Sequence, residues 1–293
     1  MTGRAGQLAM ALTDRARLCA GIDIVTLGRP EADLEAPGSF ARAIASANPD
    51  VVINCAASNA VDRAEIEPER AFRMNAAAAG EIAGAAAASG AAVIQISSDY
   101  VFDGNSGAPY REDALAHPLN AYGRSKLAAE EQVRQANPNH LILRTAWLFS
   151  PYGTNFVKTV MRLAAAQDEI SVVADQRGSP SSALDVADGL LAALSRWQSD
   201  GLVGLGEVYH LAGTGEATWF ELAVAVSEEA ALLRLPAAVV KPIPSSARAG
   251  AAVRPADSRL DSSKFSESFS FRMPHWRESL SGVVRSVAAE TCG

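Results

Sequence analysis

Four short runs of aliphatic and β-branched residues recur through the first half of the chain, at 22–27, 51–55, 93–97 and 141–144, with helix-like stretches between them. Their nearly unbroken apolar character suits strands covered on both faces. The intervening segments 40–47, 76–88 and 122–135 read as helices, the second so rich in alanine that helix is its easiest conformation. Strand–helix–strand alternation predicts a parallel sheet with right-handed crossovers. In such sheets ligands bind beyond the carboxyl ends of the strands, so the residues just after each strand are where chemistry is expected. Past position 150 the pattern loosens, and Gly, Pro and Ser collect around 176–182 and 241–258. A fifth strand, Val208-Tyr209-His210-Leu211, precedes Ala212-Gly213.

Gly3-Arg4-Ala5-Gly6-Gln7-Leu8-Ala9 has the G-x-x-G-x-x-small spacing of a loop that lets backbone approach a pyrophosphate at a helix N-terminus. Together with the alternation it predicts an α/β fold of the Rossmann type, with helices on both faces of the sheet and a smaller C-terminal substrate lobe. The expected division is a dinucleotide-binding domain at 1–149, with 183–213 returning to it, and a substrate-binding lobe made of 150–182 and 214–293. The 293 residues leave room for both. One irregularity stands at the start: only Met1 and Thr2 precede Gly3, so a first strand of about five residues is missing from its usual place. Arg4 in the loop and Arg29 beyond the second run are cations where an adenosine ribose would lie, and no acidic residue directly ends that run. Arginine at such places accommodates a 2′-phosphate, which favours NADPH over NADH; two solvated arginines are the bland rival.

The reactive constellation is Tyr122-Gly123-Arg124-Ser125-Lys126, a phenol and an ammonium four residues apart and therefore on one helix face. An unperturbed tyrosine has a pKa of about 10, too high for acid–base work at neutral pH, and a neighbouring lysine charge is expected to lower it. Such a phenol can protonate a carbonyl oxygen as hydride reaches the carbon. Taken alone, the pair is also what a solvated helix displays. Its setting raises its weight: Ser98 and Asp99 close the run at 93–97, where Ser98 can bond a carbonyl and the Tyr122 hydroxyl and Asp99 can serve as a tuning group or meet a sugar hydroxyl. Asn54-Cys55-Ala56-Ala57 closes the run at 51–55 with side chains small enough for a cofactor to lie against the backbone.

The remaining composition removes other classes. A net charge of −7 and no basic stripe argue against nucleic acid. Cys19, Cys55 and Cys292 are scattered, with no metal-ligand spacing, which suits a reducing compartment. No apolar run approaches a membrane span and no signal segment opens the chain, so a cytoplasmic protein is expected.

The longer strings carry more. Ser98-Asp99-Tyr100-Val101-Phe102-Asp103-Gly104, Asn54-Cys55-Ala56-Ala57, Leu143-Arg144-Thr145-Ala146-Trp147, Asp175-Gln176-Arg177-Gly178-Ser179-Pro180 and Arg254-Pro255-Ala256-Asp257-Ser258-Arg259-Leu260-Asp261 resemble the dTDP-4-dehydrorhamnose reductases of the extended short-chain dehydrogenase/reductase superfamily. The resemblance runs from Gly3 to about Val284. It implies reduction of the C4 keto group of dTDP-6-deoxy-L-lyxo-4-hexulose to dTDP-L-rhamnose. Tyr122 would be the acid, Lys126 the ribose-binding partner and Ser98 the carbonyl orienter, with Asp99 beside it. It further implies cofactor contacts at Gly3, Arg4, Gly6, Gln7, Leu8, Arg29, Asp33, Leu34, Ala56, Ala57, Tyr122 and Lys126. Substrate contacts would come from Val61, Tyr100, Trp147, Asn155 and Arg254, a core tryptophan being the rival reading of Trp147. Two departures are visible: Ser98 stands where the family usually has Thr, and Ser58-Asn59 where it has Tyr-Thr. A divalent ion such as Mg is compatible with such reductases, although no ligand cluster marks it here. A homodimer is compatible as well, and the sequence does not fix it. Three rivals stay open: a related 4-ketoreductase or epimerase, a non-catalytic dinucleotide-binding subunit like the regulatory β subunit of methionine adenosyltransferase, and an inactive copy lacking its first strand.

Overall fold

The computed structural model describes residues 1–292, with side chains as far as Ala289; the thiol of Cys292 lies outside the described side chains. The chain opens with α1 (Gln7–Ala16), α2 (Ser39–Ala47), β1 (Val51–Asn54), α3 (Val61–Ile66), α4 (Pro68–Phe72), α5 (Ala78–Ala88) and β2 (Ala92–Ser98). Then come α6 (Ala121–Ala136), β3 (His140–Thr145), β4 (Leu148–Phe149), α7 (Phe156–Ala164), β5 (Glu169–Val173), β6 (Arg177–Gly178) and β7 (Ser181–Ser182). The last third holds α8 (Ala183–Asp200), β8 (Glu207–His210), β9 (Ala217–Thr218), α9 (Trp219–Leu232), β10 (Val239–Ile243), α10 (Ser263–Phe269) and α11 (Trp276–Cys292).

The main sheet runs β1-β2-β3-β8, every pair parallel, as the alternation predicts. At the start of the chain one expectation stands and one needs correction. No strand precedes α1, and only Thr2 enters the sheet there: it bridges in parallel to both Leu27 and Asn54, with Thr2 N donating to Ile53 O at 2.9 Å and Leu27 N to Met1 O at 2.8 Å. The run at 22–27 is not a strand: a ladder needs a partner, and beyond the Thr2–Leu27 bridge it gains none among the described residues. Ile22 and Ile24 still pack on the core. Buried polar groups tie the stub across the sheet. Thr2 Oγ1 donates to Asn54 Oδ1 (2.5 Å), Asn54 Nδ2 to Gln95 Oε1 (2.7 Å), and Gln95 Nε2 to Ile96 O (2.8 Å).

Two cores flank the sheet. One joins α1 and α8 through Leu8, Leu12, Val186 and Leu190, and includes Tyr209 and Leu211 from 183–213; Phe265, Phe269 and Met273 of the α10 region also pack here. The other joins α2 and α5 through Phe40, Ile44 and Ile82. A separate core gathers α7, α9 and α11 around Val157, Val160, Leu222, Val226, Leu280 and Val284. A cleft beyond the sheet is lined from both sides of this division.

Candidate active site

The helix that carries the phenol begins at an Asn120 cap, whose Oδ1 accepts Gly123 N at 2.8 Å and whose Nδ2 donates to Val253 O at 2.8 Å. Gly123 lets the first turn press on the strand end opposite: a Cβ there would stand 2.1 Å from Tyr100 O. Tyr122 and Lys126 both point into a cleft of about 480 Å³ beyond the carboxyl ends of β1, β2 and β3. Ser98, Asp99, Val61, Tyr100 and Trp147 line it, as do Gly6, Gln7, Leu8 and Ala57.

The Tyr122 hydroxyl donates to Asn59 Oδ1 at 3.4 Å, and the ring meets Tyr100 edge-on at 5.9 Å. Asn59, seen in the sequence only as a departure, therefore becomes a neighbour of the phenol. The expected lowering of the Tyr122 pKa by Lys126 is not found. Burial pushes the phenol up to about 12, with the Ser98 hydroxyl opposing and the Asp99 charge adding to the rise. Lys126 Nζ is instead turned to Ile96 O at 2.7 Å, and burial brings its own pKa down to about 8 against the pull of Glu130. Glu130, one helical turn further, is fully buried. It takes two 2.8 Å bonds from Arg144 on β3 and one of 2.6 Å from Ser97 Oγ. Ser98 Oγ donates to Asp99 Oδ1 at 2.9 Å and accepts Tyr100 N at 3.1 Å. Burial raises Asp99 to about 6, with the hydroxyls of Ser258 and Ser98 opposing. Thr145 Oγ1 and Trp147 Nε1 are buried in this region without a hydrogen-bond partner among the described residues.

The other predicted positions are placed differently. Gly3, Arg4, Arg29, Asp33, Leu34 and Ala56 do not line the cleft. Arg4 is engaged by Glu31 Oε2 at 2.6 Å and by the carbonyls of Arg29 and Thr26. Asp33 caps its own turn on Glu35 N (3.1 Å), and Leu34 packs on the α2–α5 core. Gln7 is bonded to Leu148 O and Ser150 Oγ. Asn155 caps α7 on Lys158 N and holds Ser150 O at 2.8 Å, and Arg254 pairs with Asp62 at 2.7 Å. Neither Asn155 nor Arg254 lines the cleft. Phe156 and Trp219, from the first turns of α7 and α9, do; neither was among the expected site residues, since both lie far along the chain from the strand ends. Among the described residues no group of three or more His, Cys, Asp or Glu side chains could hold a metal.

The profile of the family described as RmlD substrate binding domain matches residues 1–289. The chain belongs to this family. The dTDP-4-dehydrorhamnose reductase of Sinorhizobium fredii is 42% identical over 290 residues, covering 99% of this chain and 97% of that protein. The protein of the same name from Escherichia coli K12 is 38% identical, covering 88% and 87%. Among solved structures, the dTDP-4-dehydrorhamnose reductase of Bacillus anthracis in complex with NADP superposes with a TM-score of 0.87 at 33% identity, over 96% of each chain. The one from Clostridium acetobutylicum gives 0.89 at 31%, over 98% of each. A UDP-glucuronic acid 4-epimerase from Bacillus cereus, at 17% identity and a TM-score of 0.80, shares the fold. As an RmlD family member the chain keeps a phenol, an ammonium and a strand-end hydroxyl in one cleft, where the Rossmann-type sheet places ligands. No helix among the described residues is long and apolar enough to cross a membrane.

Proposed function

We propose that this protein reduces the C4 keto group of dTDP-6-deoxy-L-lyxo-4-hexulose to dTDP-L-rhamnose with NADPH, Tyr122 giving the proton. One observation carries the reading: Tyr122, Lys126 and Ser98 converge in one cleft with the N-terminal turn of α1. Relatives named for this reaction and an NADP complex of one of them support it. The residues present suit a dinucleotide. The first turn of α1 has neither an acidic side chain nor a side-chain cap. Apart from Gly6 and its chain neighbours, no atom of the described residues lies within 4 Å of where a Cβ at Gly6 would stand. Free N–H groups at a helix start favour a pyrophosphate. Gly6, Gln7 and Leu8 would hold it there, with Ala57 and Lys126 on the nicotinamide side. When bound, the cofactor supplies the hydride.

The chain supplies the rest. Ser98 orients the keto oxygen toward Tyr122. The phenol, protonated throughout the neutral range because burial keeps its pKa near 12, donates its proton to that oxygen as the carbon is reduced. The Lys126 ammonium stabilises the phenolate left behind. Asp99 faces the sugar hydroxyls. In this reading 1–149 with 183–213 form the cofactor-binding unit, and 150–182 with 214–293 form the substrate lobe, from which Phe156 and Trp219 reach the cleft. The enzyme is read as cytoplasmic, which the free thiols of Cys19 and Cys55 suit.

The test follows NADPH absorbance on addition of the dTDP-4-keto-6-deoxysugar, with Tyr122→Phe alongside. Oxidation by the parent that falls about 10²–10⁴-fold in the variant is expected for loss of a general acid. A folded parent that binds NADPH without oxidising it would move the protein to the binding-subunit class.

A further inference from the structure

Trp147 follows β3 and enters the cleft from a left-handed backbone conformation, with φ at 46°. A bulky residue adopts that region only when its surroundings hold it there. The holding elements are identifiable. β6 and β9 form a two-stranded antiparallel ribbon in which Gly178 pairs with Ala217 and Arg177 with Thr218. Gly178 lies against the indole so closely that a Cβ there would stand 2.4 Å from Trp147 Cε2. One residue past the other strand, Trp219 stacks on Trp147 with centroids 3.6 Å apart and planes 5° from parallel. Aromatic pairs left to themselves prefer offset or edge-to-face arrangements with centroids about 4.5–7 Å apart, so this near-eclipsed stack is imposed by its scaffold.

That scaffold is firm. Thr218 and Glu221 close a reciprocal cap at the start of α9: Thr218 N donates to Glu221 Oε2 at 2.7 Å, and Glu221 N to Thr218 Oγ1 at 3.1 Å. Phe156 braces Trp219 from the first position of α7, at 4.7 Å and 57°. Trp147, Trp219 and Phe156 all line the cleft that holds Tyr122 and Lys126. A continuous aromatic wall thus belongs to the reacting chamber, and two of its three rings come from the segments after position 150.

We propose that Trp219 is a substrate-positioning residue, which fixes Trp147 by stacking and with it forms the wall against which the apolar face of the deoxysugar rests. The assignment rests on the ketoreductase reading above. A deoxysugar offers C–H groups and a methyl on one face, and an indole surface holds such a face without competing for its hydroxyls. Fixing the ring fixes the keto carbon relative to Tyr122, where a misplacement of about 1 Å can cost about 100-fold.

The test uses Trp219→Leu and Trp219→Phe in the full chain. Four quantities are measured: KM and kcat for the dTDP-4-keto-6-deoxysugar, the NADPH Kd by fluorescence titration, and the exciton couplet that two stacked indoles give in far-ultraviolet circular dichroism. Both variants are expected to lose the couplet and keep the parent NADPH Kd. Trp219→Leu should raise KM about 10-fold or more with a smaller change in kcat. Trp219→Phe, which retains a ring, should recover most of that rise and stay within about 3-fold of the parent. In the parent, the sugar nucleotide should change the couplet and NADPH should not. A Leu variant that binds NADPH normally with the parent KM would overturn the proposal and leave the stack as packing. If the Leu variant fails to bind NADPH, the parent decides: a couplet that the sugar nucleotide changes and NADPH does not supports the role, and a couplet that the sugar nucleotide leaves unmoved overturns it. A parent that does not turn over at all would sink the ketoreductase reading and this proposal with it.

Discussion

Asp99 lies 3% exposed at the floor of the cleft, with the hydroxyls of Ser258 and Ser98 against its carboxylate. Burial lifts its pKa from 3.8 to about 6. A carboxyl whose folded pKa exceeds its unfolded one contributes stability that is complete below about pH 4 and lost as pH rises through about 6. At pH 8 the folded protein therefore carries a charge it would rather shed, a cost of about 3 kcal/mol. Asp99→Asn is expected to raise Tm by about 5 °C at pH 8, with the gain vanishing toward pH 4, while turnover falls. Calorimetry at the two pH values checks this, and an equal or negative offset at pH 8 would refute it. Asp99 was legible in the sequence as a strand-end residue beside Ser98, but its burial was not. Neither was the engagement of Arg4 by Glu31, a 27-residue separation closed only by the folded loop. The Trp147–Trp219 stack joins positions 72 residues apart, and no local spacing announces such a pair.

Helix α6 shows how far a motif can be extended once its face is known. Tyr122, Lys126, Glu130 and Arg134 recur at every fourth position and so share one side of the helix. The first two were read from the sequence as a catalytic pair. Glu130 escaped notice because its partner Arg144 is on β3 and a charge on an exposed helix would look the same. In the fold it is a fully buried carboxylate whose charge sustains that of Lys126. The Lys126 ammonium discharges as pH rises through about 8, and kcat/KM is expected to fall along that limb, because Tyr122 itself keeps its proton far above it. Glu130→Gln removes the charge that holds the Lys126 pKa up. The limb should then move to lower pH, and the broken buried pair should cost about 3–5 kcal/mol of stability. A pH profile of kcat/KM, measured below the lowered Tm, checks both. An unmoved limb would mean that it belongs to another group. The strands at 51–54, 92–98, 140–145 and 207–210 were visible because burial on both faces demands uninterrupted apolar runs. The run at 22–27 misled for the same reason: it is apolar, but strand formation requires a neighbour as well as a composition.

Across the molecule, the cleft lies where two separately built cores meet. Leu184 packs against both, and the lining passes from the glycine loop and strand ends to Phe156 and Trp219. The parallel sheet and its carboxyl-end site were legible from alternation alone, since crossover handedness leaves few topologies. The second core was harder to read: its strands are mostly two residues long, and its helices owe their arrangement to one another rather than to a sheet. This division predicts how ligands stabilise the chain. A ligand that binds only the folded state adds about 2.7 kcal/mol when present at 100 times its Kd. If the cofactor lies along the start of α1 and the sugar nucleotide along the aromatic wall, the two should protect different backbone. NADPH alone is expected to slow hydrogen exchange at the amides of α1 and at 96–100. The dTDP-sugar, added to the NADPH complex of Tyr122→Phe so that turnover is blocked, should add protection in the first turns of α7 and α9. Exchange read by mass spectrometry resolves these segments. Added protection confined to α1 and the strand ends would place the sugar nucleotide entirely on the first core and remove Phe156 and Trp219 from its site.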